Sequence, residues 1–433
     1  MSAVKVERYA AYKDCGIEWL GEVPKHWSFA RVKEIAYINQ KSLSDGTPLD
    51  YEFDYVDIGS VTYGNYEYSS ERMTFENAPS RAKRIVKSGD TIISTVRTYL
   101  KAITQIDCAE NLIVSTGFAV LTPKKIIYRS YFSNWLMSET FINRVSAISK
   151  GVSYPATNST EIGDLFVFLP PLHEQTAIAA YLDTKTAQID RQIDLLGQKA
   201  TQYSKLKQSL INETVTRGLD KSVPMKDSGV EWVGEVPEHW EIQRIGTAFE
   251  ERSEKVNDTD YPPLSVSMAG IVPQMASVAK TDNNENRKRV AVGDYVINSR
   301  SDRRGASGIS IYDGSVSVIS IVLAPKRAFF GKYLHHLFRC YSFIEEFYRV
   351  GRGIVDDLWT TRYSVMKGIE FSYPSYDEQK LIAAYLDEKI AQIDQIVTTI
   401  NTQVDQLKDL RKALINDVVT GKIKVVSEEG QAV

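Results

Sequence analysis

The residues best suited to chemistry are cations that flank two Gly-Asp turns. Arg81, Lys83, Arg84 and Lys87 precede Gly89-Asp90, and Arg97 and Lys101 follow it. Arg287, Lys288 and Arg289 precede Gly293-Asp294, and Arg300, Arg303 and Arg304 follow. Lys83 and Arg84 align with Arg287 and Lys288 at a shared offset of 204 positions. Lys and Arg in loops neutralise phosphates, and the planar Arg fork can also read the edge of a guanine. Tyr63, Asn65, Tyr66, Tyr68 and Tyr99 could stack on a groove or hydrogen-bond to it, and Lys150 and Arg352 join the expected contacts. A charge run can also do no more than solvate a surface, so the cluster carries more weight than any one member.

No catalytic constellation accompanies these cations. His173-Glu174 lacks the second histidine of a zinc-protease helix, and the matching position of the later repeat is Asp377. Gly305 and Gly308, in "RRGASGIS", form neither a Walker loop nor a dinucleotide fingerprint. Tyr261-Pro262-Pro263 fails at the polar position of the segment that amino-methyltransferases use on a flipped base, and Asp356-Asp357 is an ordinary surface pair. Cys15, Cys108 and Cys340 have no zinc-ligand spacing, and their odd number and wide separation suggest reduced thiols in a cytoplasm. No apolar run approaches a membrane span, and no secretory signal opens the chain. The net charge of −3 does not by itself point to nucleic acid, so any such role must rest on local patches. The expectation is a cytoplasmic, non-catalytic binding protein with no metal and no cofactor on this chain.

Something must hold these clusters in place, and the sequence supplies two matched helices. In residues 172–218, Leu182, Ile189, Leu196, Tyr203 and Leu210 recur every seven positions, with Ile178, Ile193 and Ala200 between them. In residues 376–422, Leu386, Ile393, Ile400, Leu407 and Leu414 keep the same register, with Val397 and Val404 between them. A heptad repeat held this long predicts a supercoiling helix that needs a partner, and the partner is in the same chain. Glu174 matches Glu378, Tyr181 matches Tyr385, Asp190 matches Asp394 and Asn212 matches Asn416, all 204 positions apart without a gap. Ser375-x-x-Glu378 has the capping-box pattern, and Gly421 is placed to end the second helix.

A second duplication opens each half. "DCGIEWLGEVPKHW" at residues 14–27 returns as "DSGVEWVGEVPEHW" at residues 227–240. Its glycines and prolines predict a turn-rich clasp, with Trp19, Trp27, Trp232 and Trp240 anchored against a core. Between clasp and helix each half reads as a mixed α/β domain. Residues 51–61, 91–96 and 112–121 are strand-like and residues 128–146 helical, while residues 295–298 and 333–348 repeat the plan with different loops.

The duplicated clasp and the duplicated Glu-Gln helix, with "FVFLPPLHEQTAIAAYLD", "VTRGLDKSVPMKDSGVEWVGEVPEHW" and "LINDVVTGKIKV", make the chain similar to the specificity subunits of type I restriction–modification systems. One departure is Tyr373-Pro374-Ser375-Tyr376, where the first half reads Leu169-Pro170-Pro171-Leu172. The resemblance implies two pseudo-symmetric α/β target-recognition domains joined by two long helices in an antiparallel coiled coil. The implied division is 1–165 for the first recognition domain, 166–220 for the first spacer helix and 221–370 for the second domain, with 371–425 as the second helix and 426–433 as a tail. Each domain is expected to read one half of a split, asymmetric site in double-stranded DNA, in a system of phage defence. Two modification subunits binding S-adenosylmethionine and two motor-nuclease subunits using ATP and magnesium are the implied partners. About 40 helical residues at ~1.5 Å each give a spacer of ~60 Å. A scaffold without DNA contact is the competing expectation, and the basic clusters oppose it.

Overall fold

The computed structural model describes residues 7–61, 68–107, 109–274, 286–353 and 359–425. Tyr63, Asn65, Tyr66, Cys108, the Asp356-Asp357 pair and the tail lie outside them. The chain divides into two compact units, residues 1–197 with 402–433, and residues 198–401. Both divisions fall inside a long helix. Leu172–Arg217 has 46 residues and Tyr376–Val419 has 44, and each unit takes one half of each. The expected division had treated these helices as spacers separate from the domains. Packing explains the difference: Ile178, Ala179, Leu182, Ile415, Val418 and Val419 belong to the first unit's core. Val215, Ile382, Ala383 and Leu386 belong to the second's.

In the first unit an antiparallel four-stranded sheet runs in the order Ala36–Ile38, Phe118–Pro123, Thr91–Ser94, Ile103–Gln105. A second sheet takes Glu71–Thr74, Glu52–Val56, Leu112–Ser115 and Ala82–Ile85, and its central pair is parallel. Residues 112–121, read as one strand, are therefore two strands in different sheets. Gly117 sits between them, where an added Cβ would meet Ile58 Cδ1 at 2.4 Å. The single helix expected over 128–146 is likewise two, Arg129–Leu136 and Glu139–Ile148, because the Ser138 hydroxyl accepts from Phe141 N at 3.3 Å and caps the second.

The second unit repeats this frame. Its sheet runs Phe249–Glu251, Ser320–Pro325, Tyr295–Asn298, Ser307–Ile309, and Gly331–Leu337 and Tyr341–Arg349 replace the one helix expected over 333–348. Here the Cys340 thiol takes the capping position, accepting from Phe343 N at 3.5 Å. The Gly-Asp turns serve as struts in both frames. Asp90 accepts from Lys87 N at 2.9 Å and Thr122 Oγ1 at 2.6 Å, and burial raises its pKa above the ordinary carboxyl value. Asp294 accepts from Ala291 N at 2.8 Å and from Arg252 Nε at 2.7 Å.

Within each unit the two helix halves run antiparallel. Asp190 pairs with Arg411 Nε at 3.0 Å in the first unit, and Lys207 pairs with Asp394 at 2.7 Å in the second. Leu182, Ile189, Leu386, Ile393 and Ile400 are buried, and Ile193, Leu196, Tyr203, Leu210, Val397, Val404, Leu407 and Leu414 are half-buried. The apolar seam thus follows the heptad positions, while ion pairs lie beside it. Among the described residues, no helix is long and apolar enough to cross a membrane.

Candidate nucleic-acid interface

The long helices hold each domain through the same duplicated side chains. Glu174, 5% exposed, accepts from Trp27 Nε1 at 2.8 Å and Tyr9 OH at 3.2 Å, and meets His26 Nε2 at 2.5 Å. Glu378 accepts from Trp240 Nε1 at 3.1 Å and meets His239 Nε2 at 2.9 Å. The capping box expected at Ser375 is therefore half formed. Ser375 Oγ accepts from Glu378 N at 3.3 Å, but the Glu378 carboxylate is taken by the clasp. Gln175 accepts from Tyr128 N at 2.7 Å, and Gln379 from Phe330 N at 2.9 Å. Asn416 accepts from Thr140 N at 3.0 Å and Asn212 from Ser342 N at 3.3 Å, each beside the first turn of a short helix whose leading N–H groups have no partner within the helix. Trp27 and Trp240, almost wholly buried, each bring ~2–3 kcal/mol of apolar burial to this clamp.

With the frame held this way, two loops meet beyond the strand Thr91–Ser94. Val96 and Lys150 each bridge to Ala156, and Thr157 N donates to Thr95 O at 2.8 Å. Thr98 Oγ1 donates to Ser149 Oγ at 2.7 Å. Arg97 and Lys101 bracket a single 3-10 turn, Thr98–Leu100, and both adopt left-handed backbone, with φ of 51° and 53°. Non-glycine residues in that region carry a strain of about 1 kcal/mol or more, which the cross-ties hold in place. The Arg97 guanidinium lies 5.0 Å from the Tyr154 ring centroid, and Lys101 Nζ donates to Asn143 Oδ1 at 3.0 Å. Tyr99 is 54% exposed and Tyr154 66%. Lys150 is exposed, with Glu161 at 3.6 Å. The structure therefore brings Arg97, Tyr99, Lys101 and Lys150 into one surface.

The second unit builds the same joint from different side chains. Arg300 and Arg352 each bridge to Thr360, and Thr361 N donates to Ser299 O at 3.1 Å. Arg300 pairs with Asp302 at 3.3 Å. Arg304 lies 5.0 Å over the Tyr348 ring and pairs with Glu345 at 3.0 Å. Arg303 and Arg352 are exposed and have no side-chain partner among the described residues. Arg300, Arg303, Arg304 and Arg352 therefore lie on or next to the segments that this joint ties together.

Five of the cations ahead of the Gly-Asp turns sit on strands, while Arg81 and Lys87 flank the strand Ala82–Ile85. Lys83 and Arg84 are in Ala82–Ile85, with Lys83 paired to Asp45 at 2.7 Å and Arg84 Nη1 3.3 Å from Ser42 Oγ. Arg287, Lys288 and Arg289 are in Arg287–Val290. Arg287 is 8% exposed and donates to Ser315 Oγ at 2.8 Å and to Ser315 O at 3.0 Å, and burial pulls its pKa down. Lys288 is paired with Glu251 at 2.7 Å and Arg289 with Glu254 at 3.0 Å. The fold turns these side chains onto acids, hydroxyls and carbonyls of neighbouring strands and loops. Arg287 and Lys288, expected among the DNA contacts, thus have their side chains engaged within this unit. Sequence reasoning also missed Tyr154, whose only local sign is the Lys150-Gly151 pair and Pro155 around it.

Residues 24–200 match the family described as the type I restriction modification DNA specificity domain. Over those residues the chain is similar to type I specificity domains. The MjaVIII type I restriction enzyme specificity subunit of Methanocaldococcus jannaschii is 23% identical, with 93% of this chain and 94% of that one aligned. In fold, the chain is similar to one from a structure of complex assembly and conformational transition of the type I restriction–modification system. That likeness has a TM-score of 0.69 at 20% identity and covers 92% of this chain and 98% of the other. A crystal structure of the HsdS subunit from Thermoanaerobacter tengcongensis gives a TM-score of 0.51 at 20% identity, over 93% of this chain and 98% of the other. The specificity-domain match runs from the clasp into the first long helix, and the relatives extend the likeness to most of the chain.

Proposed function

We propose that this chain is the DNA-reading subunit of a type I restriction–modification assembly and performs no reaction itself. One observation carries the reading: two homologous frames place cross-tied loops at the same joint, one bearing Arg97, Tyr99, Lys101, Lys150 and Tyr154, the other Arg300, Arg303, Arg304 and Arg352. Like frames with unlike side chains read unlike sequences. The site is accordingly bipartite and asymmetric, with one half per recognition domain. Arginine forks contact guanine edges or phosphates, and the exposed tyrosines add stacking or hydrogen bonds. The chain also scaffolds two modification subunits and two motor-nuclease subunits. S-adenosylmethionine, ATP and magnesium belong to those partners, as does the chemistry.

The test is a sequencing map of methylated adenines in cells that carry this chain and its modification subunit. Exchanging residues 96–101 and 149–156 for those of another specificity subunit is expected to change one half-site and leave the other. Deleting one heptad from each long helix is expected to shorten the unread middle by about three base pairs, from seven residues at ~1.5 Å against ~3.4 Å per base pair. A map with an unchanged gap would refute the helix ruler, and one with both halves altered by the loop exchange would refute the division of labour.

A further inference from the structure

At the other end of the strand Thr91–Ser94 from the Arg97 loop lies a cleft of about 380 Å³, lined in part by Lys87, Gly89, Lys125, Arg129 and Leu172. Among the described residues, the side chains of Lys87, Lys125 and Arg129 make no hydrogen bond and no ion pair. The acid in the lining, Asp90, is 2% exposed and spends its oxygens on Lys87 N and Thr122. Lys124 is likewise occupied, donating to the carbonyls of Lys33 and Glu34 at 3.1 and 2.9 Å. Leu172, in the lining, is 54% exposed, and Ile126, which follows Lys125 in the chain but is not part of the lining, is 58% exposed.

The frame does not require this surface, because the second unit lacks it. Shared hydrogen bonds fix the correspondence. Lys87 N reaches Asp90 as Ala291 N reaches Asp294, and Tyr128 N reaches Gln175 as Phe330 N reaches Gln379. Lys87, Ile126 and Arg129 thus correspond to Ala291, Ala328 and Gly331. Lys125 corresponds to Arg327, which is bonded to Glu241 and Tyr373. Two cations and an aliphatic residue are present where an equivalent fold has Ala or Gly, and the counterpart of the third cation is already bonded.

We propose that this cleft docks an acidic, aliphatic-bearing segment of the modification partner, on the first unit only. The inference rests on the reading above. Phosphates would satisfy the cations but leave Leu172 facing a polar backbone, whereas a peptide segment carrying Asp or Glu beside Leu or Ile satisfies both. The reader loops are at the far end of the same strand, so the cleft leaves them free for DNA. A partner seated on each unit would then be held by unequal contacts, the first more tightly and with more salt dependence.

The experiment uses the full chain assembled with its modification subunit, compared with Lys125→Glu/Arg129→Glu and with the milder Lys125→Ala/Arg129→Ala. Native mass spectrometry counts bound partner copies, and titration at low and high salt gives affinity. The charge reversal is expected to weaken one partner copy at least tenfold and the alanine pair severalfold, with wild-type salt dependence reduced in both. Unchanged partner affinity in both variants overturns the proposal. So does unchanged assembly with weaker binding of a fluorescent duplex, which would assign the cleft to a DNA phosphate. If the wild-type assembly itself shows no sequence-specific methylation, the recognition reading has failed. Normal wild-type methylation with unaffected variants sinks the docking inference alone.

Discussion

Replacing Glu174 with alanine is the sharpest test of the clamp between the first domain and its helix. The carboxylate is 5% exposed and accepts from the buried Trp27 indole and from Tyr9, while facing His26. A buried donor left without an acceptor costs about 1–3 kcal/mol; the Trp27 indole would be left so, and the half-buried Tyr9 hydroxyl would add less. His26 is discounted, because its side chain is 47% exposed and water replaces the partner. The sum is about 2–4 kcal/mol. Glu174→Gln keeps an acceptor oxygen and is expected to cost about 1–2 kcal/mol. Glu378→Ala strands only the Trp240 indole, since His239 is 50% exposed, and should cost about 1–2 kcal/mol. A chain of two compact units need not unfold in one transition, so native-state hydrogen exchange read separately on each unit is the proper assay. The first unit's slowest amides should lose protection in Glu174→Ala, the second unit's in Glu378→Ala. A Glu174→Ala cost under ~0.5 kcal/mol, or one smaller than that of Glu378→Ala, would refute the reasoning.

Further outcomes follow from the same geometry. Arg287→Ala, which empties a buried guanidinium site on Ser315, is expected to destabilise the second unit by about 2–3 kcal/mol. Arg303→Ala should leave stability unchanged and lower the salt slope of duplex binding by about 1; denaturant titration and binding at several salt concentrations check the pair. Burial, helped by Arg339 and His336 and opposed by Asp387, lowers the His335 pKa from 6.5 to about 4. The unfolded imidazole therefore takes its proton first, and the second unit should lose stability as pH falls from 6.5 towards about 4, as hydrogen exchange or denaturant midpoints would show, and His335→Gln should flatten that dependence. Gly421 has φ of 74° and an added Cβ would meet Pro24 Cδ at 2.6 Å, so Gly421→Ala should cost about 2 kcal/mol or more. Gly197, in mid-helix with nothing within 4 Å, should instead yield about 1 kcal/mol of stability as alanine, and thermal melts of the two variants should move in opposite directions.

Duplication was the part legible in the residues. Glu174 and Glu378, Gln175 and Gln379, and Asn212 and Asn416 recur at one spacing, and each pair makes the same bond in its own unit. Periodicity located both long helices because an apolar residue every seven positions can be buried only along a helical seam. Element breaks were not legible. Ser138, Cys340 and Gly117 act through a cap or a close approach that exists only once neighbouring chain arrives.

By itself the sequence determined that there are two like halves, where their helices run, and that cations crowd each Gly-Asp turn. Tertiary structure alone decided which cations face outward. Lys83 and Arg287 look the same in sequence as Arg97 and Arg303, but the fold delivers the first two to Asp45 and Ser315. Residues 50 or more positions apart, such as Arg97 with Tyr154, meet only through the bridges at Ala156 and Thr360. Charge is a local property of the chain, whereas its availability depends on which backbone passes beside it, and that is settled only when the sheets close.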